Sequence, residues 1–336
     1  MPWRRRALLA STLALGVAGG RGGRAEDARY VKIATGSVTG TYYPIGSLIA
    51  GLLSRPPGAR PCDEAGGCGV PNLILVVEAS KGSVANVEAI SAGRVDTGFA
   101  QSDVTHGAFA GTGVFAGQPP MASLRALASL YLESVHLVAT PQSGIASVAD
   151  LKGKRVSLDV EGSGTLVDAL LVLEAYGLSR DDLIVVHAPP TRSLDLMIEG
   201  ALDAMFMVAG YPAAIVTEAA QRLGARLVPL TGEPVGELLE RHRFLTTADI
   251  PGDTYPGIGA GTPTIGVAAL WIASTALDDE LAYAITRALW HPETQRRLAE
   301  GHPKGAEIVL ANALRGVSIP LHPGAARFYR EQGMAE

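Results

Sequence analysis

Two cysteines in 336 residues, few aromatic side chains and no histidine pair spaced for a metal leave several chemistries without raw material. Cys62 and Cys68 have no histidine nearby, and two ligands are too few for a structural metal. The seven histidines are scattered with no H-x-x-x-H pair. His291, His302 and His322 each precede proline, which places them at helix or turn boundaries rather than on a ligand face. The nucleophile elbow G-x-S-x-G is missing around Ser163, and GTGVFAG at 111–117 departs from G-x-G-x-x-G by one residue. A surplus of positive charge is missing too: the net charge is −5, which disfavours nucleic acid and anionic lipid as partners.

Long apolar runs are equally scarce. The exception is residues 7–18, which follow Arg4, Arg5 and Arg6 and lead through small residues to Ala25. This reads as a secretory signal peptide over residues 1–25, exported by the general or the twin-arginine route, and it is too short for a membrane span. No other segment reaches about 18 uninterrupted apolar residues, so a soluble periplasmic protein is expected. Loss of the signal takes five arginines and no acid, moving the net charge to −10. In an exported chain the close pair Cys62 and Cys68 reads as one disulfide across a surface loop. The remaining length, at about 150 residues per domain, suggests two lobes.

What the chain does have is one recurring pattern. Val31 and Ile33 alternate as in a strand, and Ile45, Leu48, Ile49, Leu52 and Leu53 recur at helical spacing; between them lies GSVTGTYYPIG. The same strand, glycine-hydroxyl turn and helix recur. Residues 73–78 run into Ser80–Ser83, 95–100 into Gln101–Asp103, 155–160 into 161–165, and 204–208 into 209–212. Strands alternating with helices predict parallel sheets, whose turns gather at the strands' C-terminal ends, where open α/β sheets bind ligands. The first three turns precede the Gly/Pro-rich stretch 111–120 and the others follow it. Residues 136–140 and 265–273 read as strands crossing between two sheets, which predicts a hinged clamshell.

Each turn has two readings. A Ser or Thr there serves as a helix N-cap, or its hydroxyl and the neighbouring N–H groups hold an anion. A turn with more hydroxyls than capping needs, as at 36–43, has donors to spare. No Lys-Ser/Thr pair follows its glycines, which removes a nucleotide phosphate loop.

The segments TGSVTGTYYPIGSLIA, SKGSVANVEAI, GFAQSDV, LKGKRVSLDVEGSGT, DAMFMVAGYP and IPLHPGAARFYREQG, in this order, closely resemble the TAXI family of tripartite ATP-independent periplasmic (TRAP) transporters, specifically its extracytoplasmic solute-binding subunit. The resemblance covers residues 30–333. It implies an α/β chain with a type II periplasmic-binding-protein fold: two α/β lobes joined by hinge strands, with a ligand cleft between them. Lobe I would comprise 26–130 plus 276–336 and lobe II 131–275. It further implies a monomeric receptor without cofactor or metal, which delivers a glutamate-like or other small carboxylate solute to ion-coupled membrane subunits. Carried over residue by residue, the ligand loops fall on Gly36, Ser37, Gly40, Thr41 and Tyr42, on Gly82 and Ser83, and on Gln101 and Ser102. Facing them from the other lobe are Ser163, Gly164, Thr165, Gly210 and Tyr211.

Three points stay open at this stage. A carboxylate receptor often uses a bidentate arginine; Arg192 and Lys81 are candidates, each with a solvated alternative. Asp103 is either a helix cap or the acceptor of an ammonium group. The segment 319–326 either packs the C-terminus or docks a membrane partner. A periplasmic sensor feeding a receptor kinase would use the same binding chemistry, and an enzyme with a site assembled from distant residues is the more remote rival.

Overall fold

The computed structural model describes residues 27–60 and 69–334. The expected signal peptide and the expected Cys62–Cys68 bridge lie outside the described residues.

The chain begins with β1 (Arg29–Ala34), α1 (Tyr42–Leu53), the short β2 (Ser54–Arg55) and β3 (Val70–Pro71), then β4 (Leu73–Glu78), α2 (Ser83–Ser91), β5 (Thr97–Gln101) and α3 (Ser102–Ala110). It next enters β6 (Leu124–Ala139), a 16-residue strand. Beyond it come β7 (Arg155–Ser157), α4 (Gly164–Ala175), β8 (Ile184–Val186), α5 (Pro190–Ile198), β9 (Ala204–Ala209), α6 (Ala214–Leu223), β10 (Arg226–Leu227), α7 (Glu233–Arg241) and β11 (Leu245–Ile250). The return strand is β12 (Thr262–Ser274), followed by α8 (Asp279–Leu289), α9 (Pro292–Gly301) and α10 (Pro323–Glu331).

The strands lie in the order β3-β2-β4-β1-β5-β12-β6-β9-β7-β8, with β10 beside β6 and β11 beside β12. In lobe I, β1 runs parallel to both β4 and β5, and β12 closes the row antiparallel. Lobe II repeats this: β7 is parallel to β8 and β9, and β6 closes the row antiparallel. Each lobe thus places its second strand, then its first, then its third, then a strand arriving from the other lobe. This is the type II periplasmic-binding-protein fold.

The crossing is made by β6 and β12, whose residues are almost all buried because each passes through both cores. Residues 124–134 of β6 pair with β12 and the last part, from Ser134, pairs with β9. The lobes meet around the register pair Glu133 and Val267. There the strands approach so closely that a Cβ on Gly266 would lie 2.8 Å from the Glu133 carbonyl oxygen. The crossing strand expected over 136–140 therefore begins much earlier, and the expected boundary at 130/131 falls inside β6. The strand expected over 155–160 ends at Ser157, because Asp159 takes the left-handed conformation, φ 68°.

Each lobe has cores on both faces of its sheet, as buried parallel strands require. In lobe I, Phe99 meets Tyr42 and Trp271 edge-on, with ring centroids 5.7 and 6.1 Å apart. The C-terminal segment folds back on this lobe: His322 is fully buried, accepts the Gly324 N–H at the start of α10, and lies 3.0 Å from the Leu277 carbonyl. The 319–326 motif is used in packing here.

Candidate functional site

The strand ends and helix starts of the two lobes enclose a cavity of about 320 Å³. Gly36, Ser37, Gly40, Thr41 and Tyr42 line it after β1, Gly82 and Ser83 after β4, and Gln101 at the end of β5; Ser163, Gly164 and Thr165 face them from lobe II. The other expected residues, Ser102, Gly210 and Tyr211, are not in its lining, and each has a different physical role. Ser102 is fully buried at the base of α3. Gly210 accepts the Thr41 hydroxyl on its carbonyl at 2.6 Å, so it joins the lobes. Tyr211 offers its ring to Lys304 Nζ, 3.7 Å from the centroid.

The hydroxyls divide between capping and the cavity. Thr41 stands at the N-cap of α1 but makes no side-chain cap bond, because its hydroxyl is turned to the other lobe. Ser163 does cap α4, accepting the Leu166 N–H at 3.1 Å. Ser83 accepts the Gln101 N–H and Thr165 the Val208 N–H. A hydroxyl that accepts from the backbone keeps its own proton to donate. The Ser163 and Thr165 protons go to Asp159 and that of Ser83 to Tyr42, so an anion at this end of the cavity is left to the unpaired N–H groups at the helix starts.

The lobes are in contact across the cleft. Besides Thr41 to Gly210, the Ala85 N–H donates to the Gly162 carbonyl at 2.9 Å, and Gln101 Nε2 donates to Asp168 Oδ2 at 2.8 Å. Gly82, with φ 116°, occupies a backbone conformation open to glycine, and a Cβ there would lie 3.5 Å from the Ser163 Cα across the cleft. Hydrogen bonds from one lobe to the other thus bridge the cleft beside the cavity.

Sequence reasoning missed the acids. Glu133, 3% exposed on the hinge strand, lines the cavity and accepts the Tyr42 hydroxyl on Oε2 at 2.6 Å. Burial pushes its carboxyl up to about 8, with nearby Asp103 adding to the rise, while the Tyr42 bond and Lys304 oppose it. Asp159, also in the lining, is pushed up to about 6 by burial, against the hydrogen bonds of the Val160 N–H and the Ser163 and Thr165 hydroxyls. Strain of the Asp159 kind concentrates at functional sites.

Neither candidate cation holds the interior. Arg192 is exposed and paired with Glu199 at 2.9 Å, whereas Lys81 lines the cavity from an exposed position at its rim. The buried cation is Lys304, 2% exposed, bound to Glu307 Oε1 at 2.6 Å and lying outside the cavity lining. Among the described residues no group of three or more His, Cys, Asp or Glu is placed to hold a metal ion.

Solved structures match this chain over most of its length. A protein from Bordetella bronchiseptica RB50 matches with a TM-score of 0.51 at 17% identity, covering 91% of this chain and 89% of that one. The alkanesulfonate-binding protein SsuA from Xanthomonas axonopodis pv. citri, bound to MOPS, matches at 0.46 and 18%, covering 93% and 96%. MatC from Rhodopseudomonas palustris, with bound malate, matches at 0.49 and 14%, covering 81% and 88%. At its identity the Bordetella match is a likeness of fold alone. The sequence itself matches the NMT1-like family over residues 33–333, from the first strand to the end of the last helix, and the chain belongs to that family.

Proposed function

We propose that the protein is the extracytoplasmic solute-binding subunit of a TAXI-type TRAP transport system. It captures a small organic anion or amino acid by lobe closure and delivers it to ion-coupled membrane subunits. The observation that carries this reading is the cavity enclosed between facing helix starts of two lobes joined by two strands. The two lobes, which meet at Glu133 and Val267, move against each other as bodies, and solute held by both stabilises the closed state by its higher affinity for it.

The lining supports an amino acid over a plain dicarboxylate. Helix starts take a carboxylate, while Glu133 and Asp159 take an ammonium group, which restores to Glu133 the charge that burial discourages.

The test is native mass spectrometry of the mature, monomeric chain for co-purified solute, followed by a thermal-shift panel of amino acids and dicarboxylates. Ligand at about 100 times its Kd adds about 2.7 kcal/mol, a shift of several degrees for a chain of this size. A panel with no shift, together with an empty spectrum, sinks the reading. Gly40→Val is expected to weaken binding of the solute so found at least tenfold, about 1.4 kcal/mol, without unfolding the chain. The reason is that a Cβ at Gly40 already reaches 3.4 Å from Met207 Cε across the cleft, so a larger side chain fills the cavity. Calorimetric titration beside circular dichroism reads both quantities.

A further inference from the structure

A carboxyl of one lobe faces a carboxyl of the other. Asp103 lies in the first turn of α3 in lobe I, and Asp168 lies on α4 in lobe II, within hydrogen-bonding reach of it. Asp168 is fully buried and its Oδ2 accepts Gln101 Nε2. The Oδ1 of each aspartate is buried without a hydrogen-bond partner among the described residues. Two ionised carboxyls in such a place repel each other and leave acceptors with nothing to accept. One proton on the pair turns an acceptor into a donor and removes one charge.

The surroundings do not relieve this. Glu133 on β6 adds negative charge, and its hydrogen-bond donor is the neutral phenol of Tyr42. Lys304 is paired with Glu307 and lies over Tyr211, and the Tyr131 hydroxyl brings no charge. Asp159 faces the cavity from lobe II, and His106 lies further along α3, its ring against Phe244. Burial, followed by the charges of Asp103 and Glu133, holds the Asp168 carboxyl well above the carboxylate range. Asp103 is pushed up to about 6, again mainly by burial.

Building on the closure reading above, we propose that lobe closure takes up a proton shared by Asp103 and Asp168, so that capture is favoured as pH falls and release as pH rises. In the open form both carboxyls are hydrated and titrate near 4, as ordinary aspartates do. The closed form keeps the proton to higher pH. Between those two limits the ratio of closed to open rises about tenfold for each unit of falling pH, for one proton taken up. Below about pH 4 both forms are protonated and the dependence vanishes. Each capture therefore binds a proton and each release returns it.

Small-angle scattering of the mature chain without added solute, at pH 5 and pH 8, tests this. The parent is expected to be more compact at pH 5. Asp168→Asn supplies a permanent donor toward Asp103 while its carbonyl still accepts from Gln101, so it is expected to be compact at both pH values. Asp103→Asn carries the same expectation and replaces it if circular dichroism shows Asp168→Asn unfolded. A parent of equal dimensions at both pH values, or an Asn variant that keeps the parent's response, overturns the proposal. If solutes stabilise the chain while its dimensions ignore pH, the proton link fails and solute capture stands. If compaction follows pH while no solute binds, the reverse holds.

Discussion

Gly164→Val is expected to weaken solute binding at least a hundredfold, about 2.7 kcal/mol, while the chain stays folded. A Cβ at this position would stand 1.5 Å from Gln101 Oε1, 2.5 Å from Gln101 Cδ and 2.8 Å from Ser83 Oγ. All of these atoms belong to the opposite lobe, so the clash exists in the closed form and is absent when the lobes part. Gln101 has no room to give way: it is 2% exposed, and its amide nitrogen is bound to Asp168. Displacing it costs a buried hydrogen bond, about 0.5–1.5 kcal/mol, before any steric term. Within its own lobe Gly164 is the first residue of α4, where a side chain is tolerated. Titration calorimetry together with thermal melting separates the two effects. A variant that binds as the parent does would mean that solute is held without these contacts.

Lys304→Ala is expected to lower folding stability by about 2 kcal/mol, chiefly through loss of its buried stem, because Glu307 is 36% exposed and water takes over part of the ammonium group's role. The ammonium group binds Glu307 at 2.6 Å, lies over the Tyr211 ring and offsets Glu133. Burial lowers its own pKa, which the Glu307 contact opposes. Lys304→Met keeps the stem's volume and drops the charge, so it separates packing from electrostatics. Urea denaturation reads the difference. If the alanine variant loses under about 1 kcal/mol, the buried stem contributes little.

The turns that build the cavity were legible because their chemistry is local. A strand period that switches to a helix period across Gly, Ser and Thr marks Gly36–Tyr42, Gly82–Ser83 and Ser163–Thr165 before any fold is known. Local pattern does not tell which side of a turn faces a partner. Gly210 and Tyr211 follow β9 in the expected way, yet one carries the Thr41 hydroxyl and the other carries Lys304. The acids left a weaker trace. Glu133 interrupts LYLESVHLVA and Asp168 interrupts TLVDALL, each a lone acid in an apolar run, and such residues are seldom buried without a partner. Their partners come from the far end of the chain or the other lobe, which periodicity does not report.

The two long strands also fix how the gene can be divided. The second half of β12 is an interior strand of one sheet and the second half of β6 is an interior strand of the other. A cut in either strand strips a central member from both sheets at once. Neither half of this polypeptide is therefore a self-sufficient folding unit, and the protein is expected to melt in a single transition despite its two cores.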